Sequence, residues 1–147
     1  MKYTEGKIGR IFILRLENGD KLPDSIEKFA ENHKINSALV FFLGGANKES
    51  KIIVGPKNNK SLKPNPMTKL LKGVSESHGL GTIFLNEEKK PKLHMHASFG
   101  RKAKTITGCV RKGVDIWLVG EIVIIEMLDT SAIRKKDITS GFELLDC

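Results

Sequence analysis

The chain has 147 residues, 39% hydrophobic and 29% charged, which leaves room for a single compact domain. Its 25 lysines and arginines outnumber 17 acidic residues, and the net charge of +8 favours anionic partners such as nucleic acid or small anions. Two cysteines exclude a disulfide framework. Without a secretory leader or a long apolar run, the sequence predicts a cytoplasmic protein that does not associate with membranes.

The first third of the chain predicts a strand, a helix and a second strand. Residues 7–16 are rich in β-branched and apolar side chains on both faces, which is typical of a strand. From residue 22 to residue 34, apolar side chains recur at spacings of three and four, which indicates an amphipathic helix. Residues 37–43 then form a short buried strand that we expect to end at Gly44 and Gly45.

The rest of the chain predicts mostly strands. Residues 56–67 are rich in Pro, Asn and Lys and indicate a loop or an exposed hairpin tip, and the last strand is expected to bend near Gly120. One principal helix among many short strands predicts an α+β fold with a curved or barrel-like, mainly antiparallel sheet. The further predicted strands are residues 51–54, 69–74, 79–86, 92–100, 105–110 and 115–128.

Residues 92–100, KLHMHASFG, contain the side chains that point to metal chemistry. Because side chains alternate along a strand, His94 and His96 share one face with Cα atoms roughly 7 Å apart, and both rings can reach one ion. Cys109 ends the next predicted strand, which a short antiparallel connection brings back beside the histidines. Two imidazoles and a thiolate favour zinc and leave one position for water. The alternative is two ordinary strand histidines near a small buried cysteine.

The same stretch resembles a known family. The run HMHASFGRKAKTITGCV is similar to the signature of the PPC (plants and prokaryotes conserved) domain, a His-x-His strand, a short linker and Gly-Gly-His-Leu. GRIFILRLENGD resembles the family's opening strand, DSIEKFAENHKINSALVFFLGGA its helix and buried strand, and VGEIVIIEML its closing strand. We therefore expect one PPC-like domain over residues 1–147, with a core at about residues 6–128 and a C-terminal tail at residues 129–147.

The resemblance implies a homotrimer with a curved antiparallel sheet. In plants such domains accompany AT-hook segments and assemble with other proteins, whereas stand-alone prokaryotic members are generally described as predicted DNA-binding proteins. No AT-hook segment occurs here, so contact with double-stranded DNA would come from the folded surface and without sequence specificity. Cys109 stands where the family commonly has a third histidine, so the metal site is either retained with a thiolate ligand or lost.

Basic side chains are the candidates for contact with nucleic acid or another anion, and the alternative is that they are solvated loop residues. Lys69 and Lys72 border the proline- and asparagine-rich loop, and residues 134–136 form a further basic run in the tail. The candidate anion-binding residues are Lys57, Lys60, Lys63, Arg101, Lys102, Lys104, Arg111 and Lys112.

Two other functions stay open. In a small zinc-dependent enzyme or ligand-binding protein, Arg101 and Arg111 would hold an anionic small molecule beside a metal-bound water. Glu121, on the closing strand, would act as a base or orient a ligand histidine, and the alternative is a buried ion pair with Arg10 or Arg15. The other function is an assembly module that holds partner proteins, in which a metal is structural or absent.

Overall fold

The computed structural model describes all 147 residues and contains eleven strands and one helix. No helix is both long enough and apolar enough to cross a membrane. The elements are β1 (Lys7–Glu17), β2 (Lys21–Leu22), α1 (Asp24–Asn32), β3 (Ser37–Ala46), β4 (Lys51–Pro56), β5 (Pro66–Leu70), β6 (Ser75–Leu85), β7 (Pro91–Arg101), β8 (Lys104–Cys109), β9 (Val114–Leu128), β10 (Ile133–Lys136) and β11 (Glu143–Asp146).

The strands form one large antiparallel sheet and a separate hairpin. The order in the sheet is β1-β9-β3-β6-β7-β8-β4-β5, β2 adds to β9, and β10 pairs with β11. Every pair of strands is antiparallel. The α+β prediction with a mainly antiparallel sheet and one helix is confirmed.

The sheet curves around its own hydrophobic core. The 21 core residues form one cluster that includes Leu16 on β1 and Ile52 on β4. Those strands lie six steps apart in the sheet order, which is about 29 Å if the sheet were flat. The helix, with nine residues, is only about 14 Å long and covers part of that width. The remaining core side chains must therefore pack across the bend of the sheet itself.

The helix α1 is held against β7. Ile26 and Ala30 lie one helical turn apart and are both buried in the core. The Glu27 carboxylate accepts hydrogen bonds from the Leu93 backbone N–H and from Lys92 Nζ, both at 3.0 Å. These bonds fix the start of the helix over the strand that carries the two candidate histidines.

The strand bounds differ from the prediction at two places. The expected strand over residues 69–74 is replaced by β5, which ends at Leu70, and by β6, which begins at Ser75. β3 does not stop at its glycines but runs through them. The two glycines allow β3 to approach β9 closely, because a Cβ atom on Gly44 or Gly45 would come within 2.5 Å of the β9 backbone. The expected bend of β9 is found there, as the register against β3 shifts between Gly44 and Gly45.

The tail, which shows little periodicity in the sequence, folds as the β10–β11 hairpin and lies on the outer surface of β6 and β7. An isolated bridge joins Asn86 to Arg134, and Asn86 Nδ2 donates to Glu143 Oε1 at 3.2 Å. The hairpin thereby builds one wall of the cavity described next.

Candidate metal centre

The alternation of β7 presents His94 and His96 to the outer surface of the sheet. Leu93, Met95 and Ala97 are all buried in the core, whereas both histidines are exposed. The expectation that the two imidazoles share one face is confirmed. Their rings stand edge-to-face with centroids 5.0 Å apart.

Cys109 reaches the same face because the β7–β8 turn has only two residues. Lys102 and Ala103 both adopt positive φ, 49° and 59°, as in a type I′ turn, and Arg101 pairs with Lys104 across it. Five positions further along each strand, His96 lies directly opposite Cys109. The two-residue turn therefore places Cys109 directly across from His96 on the neighbouring strand.

The three side chains suit a zinc ion. One donor atom from each of His94, His96 and Cys109 lies within 4.8 Å of the others. Tetrahedral zinc with bonds of about 2.0–2.3 Å needs ligand atoms roughly 3.3–3.8 Å apart, so side-chain movements of about 1 Å close the set. Two nitrogens and one sulfur are donors that zinc accepts readily. Burial lowers the pKa of His94, with help from the charges of Arg134, His96 and Arg111, and so favours the neutral ring that a metal requires.

An open cavity of about 830 Å³ adjoins the three donors. Arg111 and Arg134 contribute positive charge to its wall, and the hairpin covers one side through residues 141–145. Arg134 is nearly inaccessible, with 5% of its surface exposed. The sequence analysis assigned Arg134 to a basic run in the tail, and no local pattern signals that it is buried.

The other basic candidates divide into two groups. β4 and β8 are antiparallel with Ile53 opposite Cys109, so the loop after β4 lies at the same end of the sheet as the start of β8. The basic edge, as we call this end, consists of Lys57, Lys60, Lys63, Arg101, Lys102 and Lys104, all exposed. Arg111 and Lys112 lie beyond the opposite end of β8, and Arg111 lines the cavity.

Glu121 and Arg15 are directly opposite each other on β9 and β1, and both are exposed. Glu121 is three strands away from β7, about 14 Å, which is too far to orient a ligand histidine. The buried carboxylate of β9 is instead Glu126, which accepts two hydrogen bonds of 2.7 Å from the Arg10 guanidinium. Arg101 likewise packs against Gly73 and not against the cavity.

A curved antiparallel sheet with a His-x-His strand and a third donor on the adjoining hairpin strand defines a specific class of small β-rich domain. The chain belongs to the Plants and Prokaryotes Conserved (PCC) domain family, called PPC above, whose family model matches residues 3–128. This confirms the resemblance found in the sequence. No curated protein matches the chain.

Solved structures from several organisms share the fold. A metal-containing protein of Archaeoglobus fulgidus is 22% identical with a TM-score of 0.84, and the match covers 100% of both chains. A PPC protein of Pyrococcus horikoshii is 23% identical with a TM-score of 0.85, covering 100% of this chain and 98% of that one. A candidate DNA-binding protein of Bacteroides thetaiotaomicron is 17% identical with a TM-score of 0.76, covering 96% of each chain.

Proposed function

We propose that this chain is a homotrimeric PPC domain that binds the phosphate backbone of double-stranded DNA through its basic edge. The observation that carries the proposal is the charge of that edge. None of its six cations has a carboxylate within 4 Å, since none takes part in an ion pair of the chain. Unpaired lysines and arginines on exposed turns are free to replace the counterions of a phosphate backbone. The Bacteroides relative, described as a candidate DNA-binding protein, supports the same role.

The contact is independent of DNA sequence. The single helix has nine residues, carries Asp24 and Glu27 in its first turn, and buries Ile26 and Ala30 in the core. A helix that is acidic at its start and held against the sheet does not suit insertion into a major groove. Contacts to phosphates alone fix a protein on the duplex but carry no information about bases.

An apolar row across the outer surface supports the homotrimer. Ile13, Phe41 and Leu80 are 84%, 42% and 55% exposed, and the strand registers align them with Val123 in one continuous row that leads to His96. Scattered apolar side chains are common on protein surfaces, whereas a contiguous row favours contact with another chain. A closed threefold assembly would cover this row and combine three basic edges in one particle.

The test is a salt series with two duplexes of unrelated sequence, followed by fluorescence anisotropy. We expect equal affinities for both duplexes and a steep loss of binding between about 50 and 200 mM salt. Substituting Lys57, Lys60 and Lys63 by Ala should weaken binding to both duplexes alike and reduce the salt dependence. The matched control substitutes three exposed, unpaired lysines elsewhere, Lys28, Lys48 and Lys136. Absence of binding at low salt, or equal losses in the two triple variants, would contradict the proposal.

His94, His96 and Cys109 are proposed to hold one zinc ion per protomer. The donor set supports this assignment, and the Archaeoglobus relative is described as metal-containing. Three protein ligands leave one coordination position open, as in catalytic zinc sites, so the bound ion could polarise or bind a further ligand. One observation favours the second candidate function, a protein that binds or converts an anionic small molecule: Arg111 lines the cavity that adjoins the three donors.

A further inference from the structure

Arg134 is the only cation of the chain that is buried, and it has no ionic partner. Its exposed surface is 5%, and none of the ion pairs involves it. Its hydrogen bonds go to neutral acceptors: Nε donates to the Lys92 carbonyl at 3.3 Å, and Nη2 donates to the Thr82 carbonyl at 3.3 Å and hydroxyl at 3.0 Å. These bonds and the Phe84 ring, whose centroid lies 5.7 Å away, hold the guanidinium in one orientation, and none of these partners carries a negative charge.

The remaining nitrogen of the guanidinium, Nη1, makes no hydrogen bond within the chain. No buried side-chain nitrogen of the chain lacks a partner, so Nη1 keeps some contact with solvent, and Arg134 lines the cavity. Burial lowers the pKa of Arg134, and the charges of Glu143 and Glu27 offset that effect only in part. Because an arginine stays protonated in proteins, an anion in the cavity would lower the remaining cost of burying this charge.

The two carboxylates whose charges act on Arg134, those of Glu27 and Glu143, accept hydrogen bonds from other residues. Glu27 is bound to Lys92 and to the Leu93 N–H, and Glu143 accepts a hydrogen bond from Asn86. Of the cavity's acidic residues this leaves Asp24, exposed at the start of α1. No carboxylate of the chain lies within 4 Å of the guanidinium nitrogens, so Arg134 forms no direct ion pair.

Arg111 provides a second cation on the same cavity. Its guanidinium lies 4.6 Å from the ring centroid of Phe142 on the hairpin, and it too forms no ion pair. Cation–π contact fixes the side chain but leaves its N–H donors free. Two guanidinium groups without ion-pair partners line this cavity, and their free N–H donors, Nη1 of Arg134 and those of Arg111, suit the oxygens of an oxyanion.

We propose that the cavity binds a small molecule through a carboxylate or phosphate group held by Arg134 and Arg111, with the rest of the molecule directed towards His94, His96 and Cys109. This proposal deepens the proposed zinc site, on which it rests for the contacts of the rest of the molecule. The cavity volume of about 830 Å³ lies within the range of about 300–1,000 Å³ typical of small-molecule sites. The hairpin, which contributes both Arg134 and Phe142, acts as the structural cover of the site.

The experiment titrates inorganic phosphate and, separately, acetate into metal-free and zinc-loaded protein, with sodium chloride at equal ionic strength as the reference. Isothermal titration calorimetry should detect binding of at least one of the two oxyanions, and the comparison assigns the phosphate or carboxylate preference. Arg134→Gln should weaken that binding by roughly tenfold or more, the effect of losing hydrogen bonds to a charged group. Lys136→Gln removes an exposed charge from the same hairpin and should change the affinity less than about twofold.

Arg134 also anchors the hairpin to Thr82 and Lys92, so a second measurement uses the unaltered chain. The side-chain Nε–H resonance of Arg134, assigned by its disappearance in Arg134→Lys, should shift on addition of the bound oxyanion and not on addition of chloride. Arg111→Gln should also weaken the binding, without removing the bonds that hold the hairpin.

The experiments distinguish failure of the oxyanion-receptor proposal from failure of the zinc-site proposal. Oxyanion binding that depends on Arg134 in a protein that never retains zinc supports the receptor and removes the metal centre. Zinc-loaded protein that binds neither phosphate nor acetate above the chloride reference overturns the receptor while leaving the metal centre intact. Binding that is equal in Arg134→Gln and in the parent chain also overturns it.

Discussion

Removal of the Cys109 thiol is the sharpest perturbation of the candidate metal centre. Zinc that binds only the folded chain, at a free concentration of 100 times its Kd, stabilises the fold by about 2.7 kcal/mol. With roughly 2.1 cal/mol/K of unfolding entropy per residue, a chain of 147 residues should gain about 9 °C in Tm. Loss of one of three ligands should lower zinc affinity by at least about 100-fold, which leaves Cys109→Ala with a gain of only about 1 °C at the same zinc concentration.

The assay compares thermal melts with zinc and with chelator for each variant, so that the packing lost on substituting the buried Cys109 cancels within each pair. Cys109→His, which places the third imidazole of the family pattern, should retain most of the zinc-dependent gain. Cys147→Ala is the matched control, because it removes the other cysteine, which is exposed. A zinc-dependent gain in Cys109→Ala as large as in the parent chain would show that the thiol is not a ligand.

Three further predictions concern zinc release at low pH, the stability contributed by the Arg10–Glu126 ion pair, and the oligomeric state. Because partial burial lowers the pKa of His94, its ring stays neutral as the pH falls below about 6.5. Zinc release in a pH titration should therefore have its midpoint below that value. A midpoint above it would contradict His94 as a zinc ligand. The Arg10 guanidinium lowers the pKa of Glu126, so the stability this pair contributes is fully present above the unfolded value of 4.5 and is lost as the pH falls through the lower folded value. Urea melts of Glu126→Gln should therefore show its largest deficit at neutral pH, and an unchanged deficit at pH 2 would refute the linkage. Ile13→Lys should convert a particle of about three chains into smaller species by light scattering, whereas Ile138→Lys, at an exposed tail position outside the apolar row, should leave the mass unchanged.

Much of the candidate metal centre follows from local rules. Strict alternation puts His94 and His96 on one face, and a two-residue turn between paired strands brings Cys109 opposite His96. These relations depend only on the strand period and on the turn length. The sequence therefore predicts that His94, His96 and Cys109 lie together, and the structure brings one donor atom of each within 4.8 Å of the others. That they hold a metal stays a prediction.

The ion pair between Arg10 of β1 and the buried Glu126 of β9 shows where such reasoning ends. The sequence analysis considered Glu121 as the partner of Arg10 or Arg15, whereas the structure buries Glu126 against Arg10 and leaves Glu121 exposed. Which glutamate is buried depends on the register between β1 and β9, including its shift between Ile8 and Ile11. A shift of one residue moves a side chain to the other face, and no local propensity fixes it.

The sequence by itself determined the family, the strand-rich α+β class and the grouping of His94, His96 and Cys109, because these depend on residue order and short-range periodicity. Only the tertiary structure decided that the loop after β4 lies at the same end of the sheet as the start of β8 and that Arg134 is buried beside His94, His96 and Cys109. Both outcomes depend on which strands become neighbours and on where the tail hairpin docks. Those contacts join residues far apart in the chain, and the short-range periodicity of a single sequence does not specify them.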